Sequence, residues 1–265
     1  MRKVILVFLS SIGVVYVLLC GLLFLFQEQI IFFPEKLKKE YKFVFNTEFE
    51  EVDVSTKDGA NLNGLLFTTE NANGLIFYLH GNAGSLRSWG EVAKTYTDLN
   101  YDVFILDYRG FGKSEGSISS QEQFYSDVQV AYNQMTKKYA EENIVVLGYS
   151  IGTGAAAKVA SENNPKLLIL QAPYFSLTDM MEETYPLVPT IFLKYKFETN
   201  RFVENCNAPI VIFHGTQDRV IYYGSSVKLK SLLKSNDRLV TLKRQGHGGI
   251  TYNAEYQTEM KLLLN

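Results

Sequence analysis

A chain of 265 residues, 46% of them hydrophobic and 20% charged, has enough apolar material for one sizeable core. Its 26 basic and 28 acidic residues leave a net charge of -2, without the basic excess that holds nucleic acid. Two cysteines, Cys20 and Cys206, and three dispersed histidines provide neither a disulfide framework nor metal-ligand spacing. No phosphate-binding or dinucleotide fingerprint occurs either, so no metal or other cofactor is expected.

The first feature along the chain is VILVFLSSIGVVYVLLCGLLFLF, Val4 to Phe26, which carries no charge. As a helix it matches a bilayer's hydrocarbon core, which takes about 20 residues. The run is longer than the apolar region of a secretory signal, and no small-x-small cleavage pattern follows it, so an uncleaved membrane anchor is expected. Residues 17–20, VLLC, put Leu19 where a bacterial lipidation box has a small residue, which argues against lipid attachment at Cys20. Arg2 and Lys3 precede the helix; Lys36, Lys38, Lys39 and Lys42 follow it, partly offset by Glu28, Glu35 and Glu40. A short amino tail is expected to stay inside, leaving the rest on the exported side. The chain divides into an anchor and juxtamembrane segment, residues 1–34, and a globular domain, residues 35–265.

Beyond Phe49 short β-rich runs alternate with helical spacing. Strands are predicted at Phe49–Ser55, Asn61–Phe67, Leu75–His80, Asp102–Asp107, Asn143–Gly148, Leu167–Gln171, Pro209–His214 and Leu239–Lys243. Helices are predicted at Leu86–Leu99, Gln121–Tyr139, Ile151–Asn163, Tyr223–Ser235 and Ala254–Leu264. Several later strands are apolar throughout, which suits strands covered by helices on both faces. The architecture implied is α/β: a mostly parallel, eight-stranded, doubly wound sheet, with no repeat or linker to mark a further boundary.

In such sheets chemistry gathers at the carboxyl ends of the strands. One of those ends carries GYSIG, residues 148–152, where a serine is held at a strand-to-helix turn between two glycines. The turn lifts the Ser150 hydroxyl out of the sheet and sets it at the amino end of the following helix, whose dipole favours developing negative charge. The pattern alone arises by chance in about one chain in ten of this length; the apolar strand before it and the small-residue helix after it make it specific. A serine hydroxyl needs a base, and the base an orienting acid. Only His214 and His247 follow Ser150, the order in which nucleophiles on such turns take their partners. His247 lies on a glycine-flanked loop that can lean over the sheet, so it is the expected base. His80 and His214 end strands and are expected to make structural hydrogen bonds. Asp218, in HGTQDRV at another strand end, is the expected acid, with Asp179 as its competitor. The oxyanion donors expected are the backbone N–H of Ile151 and that of Asn82, with Ala83 second, in the loop HGNAGS.

Taken together, HGNAG, DYRGFGKSEG, GYSIG, HGTQD and GHGG, in this order and spacing, resemble the α/β-hydrolase superfamily. More narrowly they are similar to its small membrane-anchored branch, which includes serine aminopeptidase-like, bud-emergence-type and α/β-hydrolase-domain proteins, the last regarded as thioesterases. The likeness runs from Glu51 to the carboxyl terminus. It implies the α/β-hydrolase fold, Ser150 as nucleophile, Asp218 as acid, His247 as base, and Asn82 with Ile151 as oxyanion donors. It also implies that Asp107 and Arg109 fix loops rather than do chemistry.

A triad leaves the leaving group open, because this machinery cleaves esters, thioesters and amides alike. Between the strand ending at Gln171 and the one starting at Pro209, a stretch rich in aromatic and aliphatic residues reads as a small cap, about residues 173–207, with an apolar lining. The reading is a serine hydrolase of acyl esters or thioesters, acting on a small molecule, a lipid or an acylated protein. A peptidase and a catalytically silent binding module on the same fold are the alternatives, and oligomeric state is left open. Ile30–Pro34 and Pro189–Phe197 are both apolar and aromatic, and are expected to face lipid at the headgroup level.

Overall fold

The computed structural model describes residues 1–264. Its strands are β1 (Phe49–Ser55), β2 (Asn61–Phe67), β3 (Leu75–Leu79), β4 (Asp102–Leu106), β5 (Ile144–Tyr149), β6 (Leu167–Gln171), β7 (Ile210–Gly215) and β8 (Arg238–Leu242). They form one eight-stranded sheet of order β1-β2-β4-β3-β5-β6-β7-β8. The first two pairings, β1 with β2 and β2 with β4, are antiparallel, and all others are parallel.

Strands β3 to β7 are buried at every position, as their continuous apolar sequences require once helices cover both faces. The pleat sends alternate residues to opposite cores. Phe77, Val146 and Ile212 meet Val128 and Ala156 of the helices Gln121–Met135 and Gly152–Glu162. Tyr78, Leu147 and Phe213 meet Tyr256 and Met260 of the carboxyl-terminal helix Ala254–Leu264. Strand β4 flanks β3 on one side and β5 flanks it on the other, so the loops after β3 and β5 diverge and a crevice opens beyond their carboxyl ends.

Three predicted helices differ from the structure, the one predicted over Tyr223–Ser235 being the shorter Gly224–Lys230. The segment predicted as one helix over Leu86–Leu99 is a turn of α-helix at Leu86–Trp89, a 3-10 turn at Gly90–Val92 and a second short helix at Ala93–Thr97. The ring of Phe45 packs where a Cβ would stand at Gly90, so tertiary packing sets that break. The helix from Gln121 stops at Met135, short of Tyr139, whose hydroxyl turns back to Asp102 Oδ2 at 2.6 Å. The cap consists of the helix Leu177–Thr184, a 3-10 turn at Thr190–Phe192 and the helix Thr199–Asn205, which packs on Gly152–Glu162.

The amino-terminal helix runs from Arg2 to Leu25 and contains an 18-residue stretch with a mean hydropathy of 2.6, long and apolar enough to cross a membrane. At Phe26 the chain breaks into a short second helix, Gln27–Ile31. The following residues are sutured to the body. Phe32 is buried against Phe124, Tyr195 and Phe197. Glu35 N–H donates to Gly84 O at 2.9 Å and Gly112 N–H to Glu35 O at 2.7 Å. The boundary drawn after residue 34 therefore falls inside a segment that shares the core of the domain.

Candidate active site

Ser150 follows β5 with φ of 52°, a left-handed conformation that costs a non-glycine residue about 1–3 kcal/mol. Its neighbours show why the turn requires glycine. A Cβ on Gly148 would stand 2.7 Å from Gly152 O and from the Cβ of Ala156, and one on Gly152 would collide with the carbonyl of Leu79. The strand and the helix after it therefore pass close enough to hold the serine upright, and Ser150 N–H is fixed to Gln171 O at 2.9 Å.

The structure brings Ser150, His247 and Asp218 together from three strand-end loops. Ser150 Oγ lies 2.9 Å from His247 Nε2, and His247 Nδ1 lies 2.7 Å from Asp218 Oδ2. A carboxylate accepts only, so Nδ1 carries a proton and donates it, leaving Nε2 to accept from the serine hydroxyl. The Asp218 side chain is fully buried, whereas His247 keeps 19% of its side chain exposed at the crevice. Burial pushes the Asp218 carboxyl up, but hydrogen bonds from His214 and His247, the nearby imidazole charge and the Ile221 N–H outweigh it, holding the carboxyl well below the usual range. Asp218 Oδ1 is occupied by the N–H groups of Val220 and Ile221, at 2.8 and 2.9 Å.

The two other histidines are structural. His80 is fully buried, with Nδ1 at 2.7 Å from Gly81 O and its ring stacked on Trp89. His214 has Nε2 at 3.0 Å from Ile221 O and 3.2 Å from Asp218 Oδ2. Both are acceptors, so Nε2 is the donor and Nδ1 accepts from Ser226 Oγ at 2.6 Å. His214 is thus a second buttress of Asp218, a contact that sequence reasoning missed; the spacing HxxxD, with the histidine on the strand and the aspartate on its loop, was the available signal. Asp179 is kept apart from this chain, bound by Tyr222 Oη and Lys228 Nζ, both at 2.5 Å. Asp107 accepts from Leu86 N–H at 3.1 Å, and Arg109 joins Asp127 and Asp58, so both residues hold loops.

The loop after β3 bends through Ala83 and Gly84, both at positive φ. The backbone N–H groups of Asn82 and Ile151 have no acceptor among the described residues, which leaves both as available donors beside Ser150. The Asn82 side chain is engaged elsewhere. Its amide donates to Ile31 O, and its Oδ1 accepts from Ala83 N–H at 2.8 Å and Phe33 N–H at 3.0 Å. The segment after the amino-terminal helix therefore grips the loop that presents the candidate donor. Nothing in the motif HGNAG signals this partner, because it lies some 50 residues away in sequence.

Ser150 and His247 open into a cavity of about 770 Å³, within the range of small-molecule sites. Tyr149 supports its rim, donating from its hydroxyl to the carbonyl of His247 while its ring meets Trp89. Beyond these groups the lining is mostly apolar, from Leu177 and Met180 in the cap to Leu23 and Phe24 in the amino-terminal helix.

Fold and site define the class: the chain has the α/β-hydrolase fold, with a serine, histidine and aspartate gathered at its strand ends. A family model described as serine aminopeptidase, S33, matches residues 70–200. Among sequence relatives, the protein YfhR of Salmonella typhimurium is 27% identical over 220 residues, covering 76% of this chain and 75% of that protein. Protein bem46 of Schizosaccharomyces pombe is 26% identical over 230 residues, covering 80% and 76%. Among solved structures, the Pyrococcus furiosus esterase Pf2001 shares the fold with a TM-score of 0.71 at 17% identity, over 88% of this chain and 96% of that one. Acetyl xylan esterase 1 from Thermoanaerobacterium does so with a TM-score of 0.65 at 15% identity, over 86% of each chain.

Proposed function

We propose that the chain is a membrane-anchored serine hydrolase that cleaves acyl esters or thioesters through an acyl-enzyme. The observation that carries this reading is the hydrogen-bonded line Ser150–His247–Asp218 at the mouth of an apolar cavity. Ser150 Oγ attacks the carbonyl carbon while its proton passes to His247 Nε2. The carbonyl oxygen becomes the oxyanion, which the N–H groups of Ile151 and Asn82 stabilise. Collapse breaks the bond to the leaving alcohol or thiol, which takes the proton from His247. A water then gives its proton to His247 and attacks the acyl-Ser150 ester, and collapse returns the proton to Ser150 and frees the acid. Asp218 stays ionised throughout, keeping the imidazole in one tautomer and stabilising its charged form.

A peptidase is the second reading, favoured by the description of the matching family model. An aminopeptidase needs a carboxylate near the substrate's ammonium group. The only charged side chain of Asp, Glu, Lys or Arg type among the described lining is Arg219, which speaks for a neutral acyl group instead. The helix Arg2–Leu25 is the anchor in this proposal, with the catalytic domain on the exported side. The test is labelling by a short alkyl fluorophosphonate, followed by turnover on acyl, thioacyl and aminoacyl substrates. Ser150→Ala is expected to abolish labelling and turnover while thermal unfolding is unchanged. Equal labelling of the variant overturns the nucleophile, and absence of labelling in the parent chain favours a silent binding module.

A further inference from the structure

The anchor helix is part of the cavity. Cys20, Leu23 and Phe24, from its last turns, line the same space as Ser150 and His247. Facing them are Met180, Met181 and Val188 of the cap. The two walls are tied together by polar contacts. Tyr16 Oη donates to Leu187 O at 2.7 Å. The buried Gln27 amide donates to Phe192 O at 2.7 Å and accepts from Lys194 N–H at 2.9 Å. Glu28 meets Lys194 Nζ at 3.3 Å and Tyr195 Oη at 3.1 Å. These contacts satisfy Gln27 and Glu28 completely enough that the inner wall left to a ligand is hydrocarbon.

The cap contact also fixes depth. Tyr16 lies nine residues before the end of the helix at Leu25, about 14 Å along its axis. A bilayer that holds this helix therefore takes in the cap loop at Leu187, deeper than the headgroup level expected from sequence. Leu187 and Ile191 are 83% and 86% exposed, beside a helix whose own side chains are almost all exposed. In water that is a large apolar patch; in a leaflet it faces its own kind of solvent.

We propose that the cleft between the anchor helix and the cap is an acyl-chain site that fills sideways from the leaflet. The substrate is an ester or thioester whose carbonyl reaches Ser150 while its long chain lies against Cys20, Leu23 and Phe24 on one side and Met180, Met181 and Val188 on the other. The charged and reacting groups of the lining, Ser150, Arg219 and His247, come from the strand-end loops, while helix and cap contribute mainly hydrocarbon with Gln27, Thr184 and Tyr185 among it, an arrangement that suits the two ends of such a substrate. Each methylene that stays in an apolar setting avoids the cost of crossing water. This inference rests on the serine-hydrolase reading above.

The experiment uses the full chain in phosphatidylcholine vesicles and two fluorophosphonates, one ethyl and one hexadecyl with a terminal diazirine. With each, the Ser150 Oγ–P bond forms, the P–F bond breaks, fluoride leaves and the serine proton passes to His247. Irradiation then cross-links the long tail, and peptide mapping locates it. The expected result is that both probes label Ser150, that the hexadecyl probe does so at least about tenfold faster, and that its tail maps to residues 20–31 or 177–193. Tails found only on the strand-end loops, or equal rates for the two probes, overturn the acyl-chain site while leaving the serine hydrolase intact. No labelling by either probe overturns both. Leu23→Trp, which narrows the cleft, is expected to lower the hexadecyl-to-ethyl rate ratio about tenfold, and an unchanged ratio also overturns the site.

Discussion

At the scale of single residues, the site depends on which groups share a proton. In the proposed mechanism Ser150, His247 and Asp218 act as one unit, so Asp218→Asn and His247→Ala are each expected to lower turnover at least about a hundredfold. Asp179→Asn, whose carboxylate is bound to Tyr222 and Lys228, is expected to leave kcat within about twofold; a greater loss than that of Asp218→Asn in the same assay would reassign the acid. The environment of Asp218 also has a consequence for stability. Its folded carboxyl is held below the ordinary unfolded value of about 3.9, so its stabilising contribution is fully present above that pH and is lost as pH falls towards the lower folded value. Thermal unfolding in detergent is therefore expected to show the parent chain ahead of Asp218→Asn at pH 7, with the gap closing below about pH 4. A gap that widens in acid would contradict the sign.

At the scale of elements, the informative feature is the loop after β3 and the segment that clamps it. The candidate oxyanion donor at Asn82 is a backbone group, so Asn82→Ala leaves it in place but removes the side-chain bonds to Ile31 and Phe33. The expected result is a fall in kcat of about tenfold, less than the 10²–10³ seen when a donor itself is lost, with Ser150 still labelled by a short fluorophosphonate. An unchanged kcat would mean that the loop holds its shape without the juxtamembrane clamp. His214 acts through the same logic on the other partner. It donates to Asp218 and is itself fixed by Ser226, so β7 and the helix Gly224–Lys230 together set the acid's orientation.

At the scale of the whole molecule, one face carries the anchor, the cap and the cavity, while the sheet and its helices support that face from behind. The amino-terminal helix has 24 residues and only Cys20 buried, and it is long and apolar enough to cross a membrane, as the proposed anchoring requires. With Arg2 and Lys3 retained inside, protease added to intact spheroplasts is expected to digest the catalytic domain. Protection until lysis would place the domain on the opposite side.

Much of this was legible in the chain because it depends on local rules. The long apolar helix follows from an uncharged run, and the parallel core from strands apolar at every position. The serine turn follows from two glycines at the spacing that a close strand-to-helix passage needs. Histidine order and strand-end position were enough to select Ser150, Asp218 and His247 as the candidate line, which the folded chain holds at hydrogen-bond distance. Other features exist only once distant segments meet. Whether Leu86–Leu99 stays one helix depended on Phe45 packing against Gly90, and whether residues 27–34 are a linker or a wall depended on Phe32 and Asn82 finding partners. An apolar residue in an apolar run looks the same whether it faces lipid, core or ligand, so Cys20, Leu23 and Phe24 carried no mark of the cavity they line. Periodicity reports which face of an element is apolar, and only the tertiary arrangement decides what that face meets.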